Sequence, residues 1–186
     1  MHMIPRNSNR QDPLNAARGI GTLAVLALLL APIAFVRAQE AAHGKSELRT
    51  NNQLAINQVV AGFSDGWNRH DAASMCAALA DDVQWTNWRG ETLHTRKEVE
   101  DQHAMLFSDL YKNTHRTDEV KSITYLRPDL AAVDDFWSMT GAKARDGSDW
   151  PYRAGYVNFL MERRDNRWVI IVSHTADFNA KAPVAK

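Results

Sequence analysis

The sequence predicts an α+β domain in which three N-terminal helices pack on the concave face of a curved antiparallel sheet. Three observations predict it. Apolar residues recur at helical spacing over residues 51–68 and again on a third helix from about residue 95 to 110, the period then changes to two over four successive segments, and turn-forming residues separate those segments. With 186 residues, 45% hydrophobic and 9% aromatic, the chain suffices for one well-cored domain and an N-terminal extension, but not for two full domains.

The extension reads as a signal peptide over residues 1–38. Arg6, Arg10 and Arg18 precede an uncharged run from Gly19 to Val36, which ends in Val36-Arg37-Ala38, a small-residue cleavage pattern. A retained membrane anchor is the rival reading, because the run reaches the lower edge of a spanning helix. Gly19, Gly21, Pro32 and the cleavage-type end favour removal, leaving no stable anchor. Removal takes Arg6, Arg10, Arg18, Arg37 and Asp12, and leaves the remainder acidic by three charges with no basic patch for nucleic acid. Cys76 is the only cysteine, so no intramolecular disulfide forms, and its setting among alanines marks a small buried apolar residue.

Residues 39–49 are polar and without period, which predicts a flexible linker. The domain proper is expected over 50–178, with a flexible tail over 179–186. Ile56, Val59, Val60, Phe63 and Trp67 place one apolar stripe on a helix over 51–68. Asp71 is an N-cap for a short second helix through Leu79, and Asp81-Asp82 turn the chain into a strand from Val83 to Trp88, closed by Gly90. Thr95 and Glu98 have capping-box spacing for a third helix, whose inward face reads Val99, His103, Leu106 and Leu110. Strands follow over Val120–Leu126, Leu130–Thr140, Tyr152–Glu162 and Trp168–Asp177. Arg127-Pro128-Asp129, Asp146-Gly147 and Asp165-Asn166 supply the reversals. The last strand is apolar at both parities through Val169-Ile170-Ile171-Val172. Both of its faces are then covered, and a homodimer through the outer sheet face is expected.

Phe63 to Asp71, Ala80-Asp81-Asp82, Gly90, Arg127-Pro128-Asp129, Asp165 to Trp168 and His174-Thr175 fall in an order that resembles the nuclear transport factor two-like superfamily. The nearest branch is that of SnoaL-like and ketosteroid-isomerase-like domains, including small bacterial proteins labelled enediyne-biosynthesis-type oxidoreductases. The resemblance implies a cone-shaped shell around a pocket and dimers through the outer sheet face. It implies no single chemistry, since the superfamily hosts isomerases, dehydratases, cyclases and binding domains. Where the steroid isomerases carry a basic aspartate this chain has Asn87. Where they carry a tyrosine and a protonated acid it has Phe63 and Asn158, so the isomerase acids are missing.

His103 interrupts the apolar face of the third helix and is the candidate catalytic residue, near a pocket tyrosine of the isomerases. An ordinary imidazole there titrates between pH 5 and 8, and the alternative is a core histidine satisfied by a neighbour. Trp85, Asn87, Trp137, Tyr156, Asn158, Ser173 and Thr175 are the candidate ligand contacts, with Trp88 a further stacking surface. Strand parity puts Val169, Ile171, Ser173 and Thr175 on one face and His174 on the other, unless a bulge intervenes. Only one of Asp134 and Asp135 faces inward. It needs a partner, either Arg153 or Arg163 across the sheet, or His103 as an acid–base pair. No metal-ligand spacing, phosphate loop, nucleotide fingerprint or Ser-His-Asp signature is present, so neither metal nor cofactor is expected. Two functions follow from these residues: a binding or accessory domain for a small apolar or polar-apolar ligand, or a cofactor-free enzyme moving protons on an apolar oxygenated substrate.

Export is directly testable. Produced in a Gram-negative host, the protein is expected in the periplasm with Gln39 as its first residue, and N-terminal sequencing that finds an intact leader in the membrane fraction would refute the signal peptide.

Overall fold

The structure, a computed structural model, describes the backbone of residues 20–178 and the side chains of residue 37 and residues 39–178. Residues 1–19 of the expected leader and the expected tail, 179–186, lie outside the described residues. The chain divides into two compact units at Arg49/Thr50. In the first, helix α1 (Ile20–Asn68) already runs through residues 39–49, where a flexible linker was expected. Ala, Gln, Glu, Lys and Arg in this stretch are good helix formers, so propensity suffices without an apolar period. The side chains from Gln39 to Arg49 are exposed, and His43 and Glu47 meet at i, i+4.

In the second unit, α1 buries Ile56, Val60, Phe63 and Trp67 at alternating spacings of four and three, the stripe the sequence predicts. Asn68 ends the helix and docks it on the sheet. Its amide donates to the Arg116 carbonyl at 2.8 Å and accepts from the Arg116 N–H at 2.7 Å. His70, with φ of 54°, reverses the chain, and Asp71 caps α2 (Ala72–Met75) by accepting from the Ser74 N–H. This helix is shorter than expected, because Leu79 already opens strand β1 (Leu79–Thr86). Asp81 and Asp82 sit exposed at a register irregularity between Leu79 and Gln84 rather than in a turn before the strand. After Gly90, at φ of 80°, comes β2 (Thr92–Leu93), a two-residue strand too short for a periodic signal.

Thr95 caps α3 (Arg96–Ser108), accepting from the Glu98 N–H at 3.2 Å. The Glu98 carboxylate reaches back to the His94 N–H, one residue before the usual capping-box donor. Val99, His103 and Phe107 form its buried face, with Leu106 and Leu110 partly buried at its edge. The meander follows as β3 (His115–Arg127), β4 (Leu130–Lys143), β5 (Asp149–Arg164) and β6 (Arg167–Asp177). Asp165 and Asn166 both adopt positive φ in the tight turn before β6. The sheet order is β2-β1-β6-β5-β4-β3, antiparallel throughout except where β1 runs parallel to β6. The sheet is therefore mixed, while the α+β class and the three helices stand.

The last strand contains the bulge that changes its parity. Met161 pairs with Ile170 and Leu160 with Val172, so Ile171 is the extra residue. Trp168 and Ile170 are buried before it and Ser173 after it, with Thr175 on the same side. Val169 and Ile171 do not share that face, and His174 is exposed. A double-apolar run thus reflects a change of face within one strand.

Close backbone approach fixes how α1 meets α2. A Cβ on Gly66 would lie 2.3 Å from the Met75 backbone nitrogen, whereas one on Gly62, a turn earlier, has nothing within 4 Å. Gly66→Ala is expected to destabilise the domain by about 3 kcal/mol, the upper range for overpacking. Gly62→Ala is expected to stabilise it by about 0.5–1 kcal/mol through helix propensity. Opposite shifts of the thermal midpoint for the two variants would verify this reading; equal shifts would contradict it.

Candidate functional site

The helices and the inward face of the sheet enclose a cavity of about 690 Å³. Phe63 and Trp67 come to it from α1, Trp85 from β1, and His103 and Leu106 from α3. Trp137 and Met139 come from β4, Arg153 and Val157 from β5, and Thr175 from β6. The turn after β1 adds Asn87, Trp88, Arg89 and Glu91 at the mouth, opposite Lys143 at the end of β4, Ala144 and Arg145 of the β4–β5 turn, and Trp150 at the start of β5. The walls are therefore mainly aromatic, with polar groups at a few fixed points.

His103 is buried and lines this cavity. Its Nδ1 lies 2.8 Å from the Val99 carbonyl, which only accepts, so Nδ1 carries the proton. Trp67 and Trp85 stand edge-on to the ring at 5.6 and 5.7 Å between centroids. Burial first, and the positive charge of Arg116 second, lower the imidazole pKa to about 4, against the favourable bond to Val99. The ring is thus neutral at physiological pH, and Nε2 bears the lone pair.

Two arginines that the sequence did not single out for the site shape its interior. Arg116, on β3, grips Asp118 two residues along the same strand face, with Nε 2.9 Å from both carboxylate oxygens, and both side chains are almost wholly buried. Its guanidinium lies 5.1 Å from the Trp67 ring, 5.2 Å from Trp137 and 5.3 Å from Phe63. Arg153, on β5, donates to Asp177 at 2.8 Å and to the Tyr111 hydroxyl at 2.6 Å, and stacks 4.0 Å from the Trp150 ring. A signal for Arg116 existed in the i, i+2 spacing of Arg116 and Asp118, but β3 was expected to begin only at Val120, which hid it.

Asp135 is the inward member of the acidic pair, fully buried, while Asp134 faces outward and accepts from Ser122 and Asn158. Neither Arg153, Arg163 nor His103 is its partner. Arg116 is 3.9 Å away, and Asp118 is the neighbouring acid. Burial, then a hydrogen bond with Asp118 and the charge of Asp118, raise the Asp135 pKa. Arg116 holds Asp118 below the usual carboxylate range despite its burial. Asp135 makes no other side-chain hydrogen bond, so the arrangement closes when Asp135 keeps its proton and donates it to ionised Asp118.

Of the candidate residues, His103, Trp85, Asn87, Trp137 and Thr175 line the cavity, as does Trp88. Asn87 stands at the mouth, where its amide is engaged by Glu91 and the Arg89 N–H. Tyr156 and Asn158 do not reach the cavity. Val157 points inward between them, so alternation turns both to the outer face, Tyr156 against Phe136 and Phe178 and Asn158 onto Asp134. Ser173 is fully buried beside Trp85 and Phe159 in the register and does not line the cavity. Cys76 is inert, its thiol pushed by burial up to about 12. Among the described residues no group of His, Cys, Asp and Glu could hold a metal ion.

The sequence profile of the SnoaL-like domain matches residues 60–171. No curated protein matches the chain. Several solved structures share the fold. A hexachlorocyclohexane dehydrochlorinase (LinA), type 2, has a TM-score of 0.64 at 16% identity, over 75% of this chain and 93% of that one. A putative scytalone dehydratase from Novosphingobium aromaticivorans has 0.61 at 12% identity, over 76% and 98%. An NTF-2 like protein of unknown function from Shewanella oneidensis has 0.58 at 20% identity, over 68% and 99%.

The buried acid pair has a pH signature. An unfolded aspartate has a pKa of about 3.9, and the raised folded value of Asp135 means that it contributes stability in acid and loses it as pH rises above about 4 toward that value. Asp135→Asn, whose amide donates to Asp118 at every pH, is expected to match wild type near pH 4 and to melt progressively higher than wild type toward pH 8. A constant difference in melting temperature across that range would disprove the neutral Asp135.

Proposed function

From a chain that belongs to the SnoaL-like domain family, we propose an exported small-molecule-binding protein that holds an apolar, oxygen-bearing ligand in its aromatic cavity. The observation that carries this reading is the neutral His103 inside tryptophan-lined walls. With its Nδ1 proton committed to Val99, Nε2 is a fixed acceptor for a ligand hydroxyl, and the Thr175 hydroxyl adds a second adjustable contact. The cavity volume, about 690 Å³, lies within the range that encloses drug-sized ligands.

The same protonation state favours binding over proton transfer. A general base works best with a pKa near the working pH, and burial together with Arg116 holds His103 at about 4. Asp135, the other buried group with a strongly shifted pKa near the site, does not line the cavity. The pH window also moves from the one an ordinary imidazole would give. Neutral from pH 5 to 8, His103 leaves binding flat across that interval, and protonation weakens it only below about pH 5.

Titration of the intrinsic tryptophan fluorescence with 2-naphthol tests the reading. Wild type is expected to bind with one affinity between pH 5 and 8 and more weakly at pH 4. His103→Leu, which removes the acceptor, is expected to lose about ten-fold, the cost of stranding one hydrogen-bond partner, with melting temperature as the folding control. Absence of 2-naphthol binding, together with no small molecule released from the purified protein in mass spectrometry, would count against a binding function.

A further inference from the structure

The cavity is chemically polarised along its depth. At the mouth, the turn after β1 and the β4–β5 turn bring Arg89, Lys143 and Arg145 to the lining with Glu91 as its one acid. Arg89 is paired with Glu91 at 2.6 Å, and Lys143 with Asp149 at 2.9 Å. Arg145 is exposed on the β4–β5 turn and makes no ion pair among the described residues. Its field is felt across the mouth, where hydrogen bonds from Asn87 and Arg89, and then the charges of Arg89 and Arg145, keep the Glu91 carboxyl below its usual range. Deeper in, Arg116 and Arg153 already hold Asp118 and Asp177, so the interior offers no uncompensated cation.

Resting on the binding reading above, we propose that the ligand is an organic monocarboxylate, its apolar body among the tryptophans and its carboxylate at the mouth against Arg145 and Arg89. One unpaired guanidinium on an open rim matches a single planar carboxylate, which takes two parallel N–H bonds from such a fork. A phosphate dianion would need more free positive charge than the rim supplies. The neutral His103 accepts from a hydroxyl at the opposite end, which sets the direction in which the ligand enters.

Fluorescence titration with 6-hydroxy-2-naphthoate and with its methyl ester, which keeps the ring and hydroxyl but replaces the charge with a methyl group, tests the proposal. The acid is expected to bind about two- to five-fold tighter than the ester at low salt, as a solvent-exposed ion pair allows. The preference is expected to shrink at about 0.5 M salt through screening. Arg145→Glu, on an exposed turn where folding is not at stake, is expected to reverse the order of the two. Equal affinity of acid and ester, or a preference that Arg145→Glu leaves in place, overturns the carboxylate proposal while the binding reading stands. Failure of both compounds and of 2-naphthol to bind overturns the two together.

Discussion

Arg116 and Arg153 project into an interior that is otherwise aromatic and aliphatic, and a guanidinium taken out of water needs a carboxylate and full hydrogen bonding. Asp118 and Asp177 meet that need, each carboxylate as dry as its partner. Around the two pairs stand Phe63, Trp67, Trp88, Trp137 and Trp150, whose ring faces lie 4.0 to 5.8 Å from one or the other cation. Trp137 lies beside both. The paired guanidinium groups thus stand against the aromatic walls, and favourable cation–ring contacts hold the two together in a medium of low dielectric.

That constraint also sets the protonation of the remaining ionisable groups. Once Asp118 has neutralised Arg116, a second ionised carboxylate beside it would face burial and like-charge repulsion together, and Asp135 stays protonated. His103 meets burial and the like positive charge of Arg116, and stays unprotonated. One acid and one base are thus held neutral by opposite shifts that share a cause.

The fold was legible because its signals are local or periodic. The stripe Ile56, Val60, Phe63 and Trp67, the Thr95 cap and the Asp165-Asn166 turn each follow from a few residues and appear where the sequence puts them. The site was legible only as far as parity could be counted from a known start. On β6 a bulge at Ile171 shifts the frame, so parity holds for Ser173 and Thr175 beyond it but assigns Val169 and Ile171 to the wrong face. On β5 the resemblance to the isomerases placed Asn158 inward, whereas alternation about inward Val157 and a bond to Asp134 turn it out. The Arg153–Asp177 pair was invisible for a different reason. Arg153 and Asp177 are joined only by the β5–β6 pairing, and no spacing along the chain announces a contact made across two strands.

The buried arginines of the cavity are paired with carboxylates and its histidine is held neutral with a pKa well below 7, which supports the binding reading proposed above over abstraction of a proton from carbon. Aromatic walls supply non-directional burial, the Val99-anchored imidazole supplies one directional acceptor, and the rim alone retains uncompensated charge. Restoring proton transfer would require moving His103 toward an ordinary imidazole pKa. The two causes of its depression are burial, which the cavity depends on, and Arg116, whose loss would strand Asp118. The features that stabilise this interior are therefore the ones that keep its histidine out of acid–base chemistry near neutral pH.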